Sequence, residues 1–453
     1  MMTLGEAAVA LGGTATQPAA RFDGVSTDTR TLRAGELFVA LRGERFDGHD
    51  FLAVAAERRA AGAMVDRRYA GTPPLPTVAV EDTRRALGAL ARHWRRRFSP
   101  ALVAITGSNG KTTVKEMLAA ILRRHAGAQG AGEAAVLATT GNLNNDIGVP
   151  LTLLRLRAAH RWCAIELGMN HPGEIAALAG MAEPTVAVVN NAQREHLEFM
   201  SSVEQVAAEN ASVYDALPAD GVAVVNADDA QAEYFRSRAR PRRVLDFGLQ
   251  GAAVTGRYQL RHLSSEIRIR TPQGEAQASL AIPGLHNVRN ALAAAACALA
   301  AGVPAASIGA GLSEFRPYTG RLQVKQGPGG MTIIDDSYNA NPDSVRAAID
   351  VLASCPGPTA LVLGDMGEVG EQGPQFHREV GEYARARGVD RLLALGSASA
   401  EAVAAFGPGA ERFDTVEALV AALRASTVLV KGSRFMRMER VVAALAGGVP
   451  GDH

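Results

Sequence analysis

The residues whose types and spacing could do chemistry are Gly107, Asn109, Gly110, Lys111, Thr112 and Thr113, within Ile105-Thr106-Gly107-Ser108-Asn109-Gly110-Lys111-Thr112-Thr113. Ahead of them, Ala101-Leu102-Val103-Ala104-Ile105 is an apolar run of strand length. Behind them, 114–122 carries apolar residues at helical spacing. Strand, glycine-bearing turn and helix together aim backbone N–H groups and a helix N-terminus at phosphate. The glycines permit close approach, Lys111 supplies a point charge, and the Thr112 hydroxyl suits Mg2+. The position five before Gly110 is Ile105 and not glycine, so the general P-loop pattern is met only in part. A plain glycine-rich turn is the competing reading; the flanking strand and helix, with Lys-Thr in place, favour a nucleotide.

Further polar clusters follow. The loop 139–150 holds Thr140, Asn142, Asn144 and Asn145. It is read as a binding loop for a polar ligand in preference to a set of Asx turns. Glu166 ends an apolar strand over 162–168, at the edge of a sheet where ligands gather, and is placed to hold Mg2+ beside phosphate. His196 stands in a polar loop past a strand over 185–189 and is read as a metal or phosphate contact. Asn287 and Asn290 share one face of the first turn of an alanine-rich helix. Capping explains the first, and paired amides suit the edge of a purine.

Lysine usage adds a signal of its own. Of 47 basic residues only Lys111, Lys115, Lys325 and Lys431 are lysines. Arginine serves nearly everywhere else, so a retained lysine marks a place for a compact ammonium. On that ground Lys431 joins Lys111 as a candidate, whereas Lys115 and Lys325 are expected to be ordinary surface residues.

The elements that must position these groups read as α/β throughout. A strand is expected over 36–41 and a helix over 50–61. Polar loops at 26–30 and 42–49 are equally readable as solvated turns or a ligand site. A helix over 84–97 leads into the P-loop strand. In the last third, strands over 332–336, 359–363, 391–395 and 427–430 alternate with helices, the first of these from Asp343. This rhythm implies a mostly parallel, doubly wound, Rossmann-like sheet. The expected domains are 1–82, a small N-terminal α/β domain; 83–321, a central P-loop ATPase domain with a mostly parallel sheet; and 322–453, a C-terminal Rossmann-like domain.

Composition excludes several classes. A chain of 453 residues with 47% hydrophobic and 21% charged residues is a normal multidomain globular protein. A formal net charge of +1 argues against nucleic acid or a membrane surface as the main partner. Cys163, Cys297 and Cys355 are widely spaced and read as small core residues in a reducing compartment. The N-terminus lacks a basic n-region, and the alanine run 291–301 is too short for a bilayer. A cytoplasmic protein with no integral membrane segment is expected. No GxGxxG follows the first strand, and HExxH, GxSxG and a Cys/His metal cluster are missing from the sequence.

Over essentially its whole length the chain resembles the ATP-dependent Mur ligases. The resemblance is carried by the segment 106–113, Thr140-Gly141-Asn142-Leu143-Asn144-Asn145, Glu166-Leu167-Gly168-Met169-Asn170 and the segment 286–290. Asp335-Asp336-Ser337-Tyr338-Asn339-Ala340-Asn341-Pro342 and Leu363-Gly364-Asp365-Met366-Gly367-Glu368 carry it further. The last two point to the branch that adds D-alanyl-D-alanine to UDP-N-acetylmuramoyl-tripeptide, and they do not resemble the folate polyglutamate ligases. A nucleotide-gated binding protein on the same fold is the rival outside enzymes.

The resemblance implies a cytoplasmic, monomeric enzyme of peptidoglycan synthesis using ATP and Mg2+ through an acyl phosphate. By likeness, Ser26, Asp28 and Arg30 would meet the uridine nucleotide end, Asn287 and Asn290 the adenine, and Arg321 and Asp335 the ribose. Lys111 and Thr112 would hold the phosphates and metal, with Glu166 and His196 on magnesium. Thr140, Asn142, Asn144, Asn145, Tyr338, Asn339 and Asn341 would line the substrate site. Lys431 and Arg434 would take the dipeptide carboxylate or the acyl phosphate. Many Mur ligases carry a lysine in the helix after the His196 region, whose carbamate helps hold a second magnesium. Here the matching position is Asn210, which cannot form a carbamate.

Overall fold

A computed structural model describes residues 1–44, 46–195 and 197–447. The element that places the P-loop is a six-stranded, all-parallel sheet. Its order is Arg243–Phe247, Val222–Asn226, Val186–Val189, Ala101–Thr106, Trp162–Glu166, Val136–Ala138. Apart from the edge strand Arg243–Phe247, these strands are short, mainly apolar runs without polar alternation, so both faces must be covered. Val103 and Ile105 face the P-loop helix Lys111–Ala128 and the helix Leu285–Ala300. Leu102 and Ala104 face the other side, where the helices Thr83–Arg95, Glu174–Ala182 and Val203–Ala211 pack. Each buried Val, Leu or Ile here contributes roughly 1.5–3 kcal/mol. The second covering helix buries Ala291 and Ala293 to Ala296 completely, and such small side chains let it approach the P-loop helix closely.

From Ala101–Thr106 the chain crosses to one side for its next two strands and then to the other for Val186–Val189. That reversal opens a crevice at the carboxyl ends of the strands, the place where open parallel sheets hold ligands.

Two other sheets flank this one. Thr14–Ala15, Thr77–Val80, Gly62–Asp66, Glu36–Val39 and Gly24–Ser26 form a five-stranded sheet, parallel but for its first pair. Gln323–Gln326, Thr332–Asp336, Thr427–Lys431, Thr359–Gly364, Arg391–Leu395 and Ala410–Phe413 form a six-stranded one, antiparallel only at Gln323–Gln326. An antiparallel three-stranded sheet, Thr255–Leu260, Ser265–Thr271 and Gly274–Leu280, packs its apolar face on the central core. None of the described helices is long and apolar enough to cross a membrane.

Several local expectations need correction. The first strand stops at Val39, and the helix expected over 50–61 is a 3-10 turn, Gly48–Phe51, followed by Leu52–Glu57. Arg59, with φ of 62°, ends it. Lys115 is not a surface residue: it is fully buried. Lys325 is part-buried and pairs with the buried Asp335 at 2.7 Å.

The central and C-terminal sheets meet through polar contacts. Arg194 donates to both carboxylate oxygens of Asp343 and, through the far side of its guanidinium, to both of Glu379. Arg346 also donates to Glu379, at 2.5 Å. Hydrogen bonding to Arg194 is the chief cause holding the Glu379 carboxyl below its ordinary range. The Asn109 and Asn341 side chains exchange hydrogen bonds across the same gap. Arg194→Met would leave two part-buried carboxylates without their shared cation, at a cost of about 2–4 kcal/mol in the contact between the two sheets. The expected outcome is a lower thermal midpoint and a larger radius of gyration by small-angle scattering than the parent's.

Candidate functional site

Gly110 caps the P-loop helix in a left-handed conformation, φ 81°, which a side chain would strain. A Cβ there would also collide with Asn290 Oδ1 and Asn190 Nδ2. The loop is held by asparagines. Asn190 Nδ2 and Asn191 Nδ2 donate to Asn109 O at 2.7 and 3.0 Å, and Asn109 N donates to Asn191 Oδ1 at 2.8 Å. Asn190 Nδ2 also donates to Asn290 Oδ1, Asn290 Nδ2 to Asn287 Oδ1, and Asn287 Nδ2 to Pro283 O. The Asn287 and Asn290 amides therefore already have protein partners at both ends, and they brace the loop while lining the cleft.

Lys111 curls back over the loop. Its Nζ donates to Gly107 O at 2.5 Å and Ser108 O at 2.9 Å, and it lies 3.3 Å from Glu195 Oε2. Across from it, Glu166 Oε1 accepts from Thr112 Oγ1 at 3.2 Å and from Asn144 Nδ2 at 2.8 Å. Glu166 Oε2 is buried and has no hydrogen-bond partner. A buried carboxylate oxygen left unpaired is costly, and a cation is what it lacks. A carboxylate and a threonine hydroxyl at a phosphate-binding turn are the hard oxygen donors that Mg2+ takes together with phosphate and water, so the residues fit that ion. Among the described residues no three His, Cys, Asp or Glu side chains gather as a metal cluster. His196 lies outside the described residues.

The opposite wall comes from the C-terminal sheet. Parallel pairing sets Asp336 beside Lys431 and Asp335 beside Val430. Lys431 Nζ bonds Asp336 Oδ2 at 2.5 Å and Asn339 O at 2.9 Å. Burial pushes the Asp336 carboxyl up, although Lys431 opposes this. Arg321 stacks on the Tyr338 ring at 4.2 Å and keeps a buried Nε without a partner. The Arg434 guanidinium lies 5.9 Å from the same ring.

Together these walls enclose a cleft of about 850 Å3. It gathers Asn109 to Thr113, Asn142, Asn144, Asn145, Glu166, Asn287, Asn290, Arg321, Tyr338, Asn339, Asn341, Lys431 and Arg434. Ser26, Asp28, Arg30, Gly107, Thr140 and Asp335 are not among its lining. Asp335 points to the other face of its strand, onto Lys325 and Ser337, and Asp336 takes the place in the cleft expected of it. Asp28 and Arg30 pair with each other in the N-terminal sheet's loop. Asn210 is fully buried, accepting from Thr106 Oγ1 at 2.6 Å and donating to Val206 O at 2.9 Å, and it does not reach the cleft.

Sequence reasoning passed over Asn190, Asn191 and the pair Arg84–Asp146, all of which line the cleft. The adjacent asparagines after an apolar strand were the available signal for the first two.

Comparison with known proteins covers nearly all of the chain. Family profiles match residues 21–95 ("Mur ligase family, catalytic domain"), 105–298 ("Mur ligase middle domain") and 320–434 ("Mur ligase, glutamate ligase domain"). The UDP-N-acetylmuramoyl-tripeptide–D-alanyl-D-alanine ligase of Escherichia coli (strain K12) is 43% identical over 433 residues, covering 93% of each chain. A crystal structure of MurF from Acinetobacter baumannii superposes with a TM-score of 0.90 at 34% identity, covering 98% of this chain and 99% of that one. MurF ligase from Thermotoga maritima in complex with ADP superposes with a TM-score of 0.81 at 27% identity, covering 94% and 97%.

His286, also in the cleft lining, supplies a pH test. Burial first, then repulsion by Lys431 and Arg289, pushes its imidazole down to about 4 from 6.5. Between those values the unfolded chain binds the extra proton. The stability owed to neutral His286 is thus present above pH 6.5 and lost as pH falls towards 4. The gap in urea midpoint between parent and His286→Gln should therefore be smaller at pH 5 than at pH 7.

Proposed function

The chain belongs to the Mur ligase family, and we propose that it joins D-alanyl-D-alanine to UDP-N-acetylmuramoyl-tripeptide, with ATP cleaved to ADP and phosphate. The observation that carries this reading is the two-walled cleft. A phosphate-binding turn with an unpaired carboxylate oxygen faces a wall bearing Lys431, Arg321 and Arg434. A free carboxylate is a poor electrophile, so the tripeptide's terminal carboxyl is first converted to an acyl phosphate. The dipeptide amine then attacks it, and phosphate leaves.

Named residues divide this work. The P-loop N–H groups and Lys111 cradle the phosphates of ATP, and their fixed dipoles offset charge as it spreads over the transferring group. Glu166 and Thr112 would hold Mg2+, which when bound supplies further neutralisation at the phosphates. Lys431 and Arg434 stand where a carboxylate or acyl phosphate would need cations. The uridine end of the substrate is assigned to the N-terminal sheet with Ser26, Asp28 and Arg30, outside the cleft. We divide the chain as 1–82, 83–321 and 322–453 for these three tasks, and place the reaction in the cytoplasm with a monomeric enzyme.

Lys111→Ala should lower kcat/KM at least 100-fold, the scale of losing one charge-stabilising donor, with an unchanged circular dichroism spectrum. Turnover near the parent rate would remove the P-loop from the reaction. Phosphate release should require all three substrates together; fast hydrolysis without the dipeptide would contradict an acyl phosphate sheltered in the cleft. Asn210 is neutral, buried and committed to Thr106 and Val206. Enzyme stripped of bicarbonate at mildly acidic pH should accordingly regain no rate when bicarbonate is returned.

A further inference from the structure

Lys115 has no part in the scheme above, yet its position is costly. It is one of four lysines in an arginine-rich chain, and its side chain is wholly buried. A buried ammonium persists only where each of its donors finds a partner. Here Nζ meets the Glu116 carboxylate, the Thr139 carbonyl at 2.9 Å and the face of the Tyr318 ring at 5.8 Å. The Thr139 contact matters most. Thr139 directly follows the edge strand Val136–Ala138 and opens the loop that carries Asn144. Its backbone N–H donates to Ala164 O at 3.0 Å, and its hydroxyl oxygen accepts the backbone N–H of Glu166 at 3.0 Å. Lys115 lies one helical turn beyond Thr112, on the same face. The P-loop helix thus reaches the Glu166 strand twice, through the Thr112 hydroxyl on the carboxylate and through Lys115 and Thr139 on the backbone.

We propose that Lys115 is a positioning residue for Glu166: its ammonium fixes Thr139, which fixes the Glu166 backbone, so that Oε2 faces the phosphate-binding turn. A compact ammonium suits this place, since it needs one short bond to a carbonyl in a closed space beneath an aromatic ring. The inference rests on the reading of Glu166 as the metal-facing carboxylate.

The test uses the full-length protein saturated with ADP, with Mn2+ as the probe and free Mn2+ read by electron paramagnetic resonance. Lys115→Met and Thr139→Val should each weaken Mn2+ binding about 10-fold or more, the scale of losing a group that orients a metal ligand. ADP affinity without metal should stay at the parent value. The double variant should be no weaker than the worse single one, because both changes cut one path. Glu166→Gln serves as the reference. If it leaves Mn2+ binding intact, the metal reading of Glu166 falls. If it weakens binding while the folded Thr139→Val protein binds Mn2+ as the parent does, the Lys115 path is overturned. Full additivity in the double variant overturns it too. Should Lys115→Met not fold, parent-like Mn2+ binding by Thr139→Val, which keeps shape and size, still overturns the path.

Discussion

Taking a carboxylate out of water is among the more expensive things a fold can do, and Glu166 sets the terms for much of what surrounds it. It sits at the carboxyl end of Trp162–Glu166, 2% exposed, with one oxygen partnered and the other not. The parallel sheet makes this position unavoidable. Three adjacent strands end together, delivering the P-loop, Glu166 and the Asn190–Asn191 pair to one edge. The partners of Oε1 come from two different segments, Thr112 on the P-loop helix and Asn144 on the loop 139–150. The two are in place together only when the loop after Val136–Ala138 and the P-loop helix are both formed. The charge that remains unanswered on Oε2 is left in the lining of the cleft that also holds the phosphate-binding turn.

The second wall answers a different electrostatic problem. ATP phosphates, a carboxylate and an acyl phosphate bring much negative charge into one cleft, and a net charge near zero cannot balance it from a distance. The cations must be local. Lys431 and Arg434 supply them from the C-terminal sheet and the turn after its strand Thr427–Lys431, Arg321 from the segment leading into that sheet, and Lys111 from the central one. This division makes the contact between the two sheets part of the site. Arg194 with Asp343 and Glu379, and Asn109 with Asn341, join the sheets within a few residues of the groups that would touch substrate. Asn341 caps the helix Pro342–Ala353 while bonding the P-loop, so one side chain serves both a helix end and the closure of the cleft.

What the sequence made legible follows from the range of each interaction. The strand, turn and helix around Lys111 are local: apolar spacing and two glycines specify them, and they were readable, as was the alternation of strands and helices in the last third. Positions that depend on distant segments were not. Asp335 and Asp336 are neighbours of identical type, and only the pairing of their strand with Thr427–Lys431 decides which one enters the cleft. Asn287 and Asn290 were visible as a pair, but their partner Asn190 is about a hundred residues away in the chain, so their bracing of the P-loop could not be seen. The helix expected over 50–61 was overextended because a left-handed Arg59 carries no glycine to announce it.

Lysine shows both the reach and the limit of composition as a signal. In a chain that otherwise uses arginine, all four lysines make short, specific contacts: Lys111 to Gly107 O and Ser108 O, Lys115 to Thr139 O, Lys431 to Asn339 O, and Lys325 to the buried Asp335. Three of the four place an ammonium on a backbone carbonyl, a task for which a small rotatable donor suits better than a planar fork. Each of those carbonyls belongs to a segment that shapes the cleft: the P-loop, the loop after Val136–Ala138, and the turn after Thr332–Asp336. The argument that singled out Lys111 and Lys431 therefore applied equally to Lys115. What it lacked was burial, which arises from the Tyr318 ring and the edge strand closing over a helix face that the local sequence alone leaves looking polar.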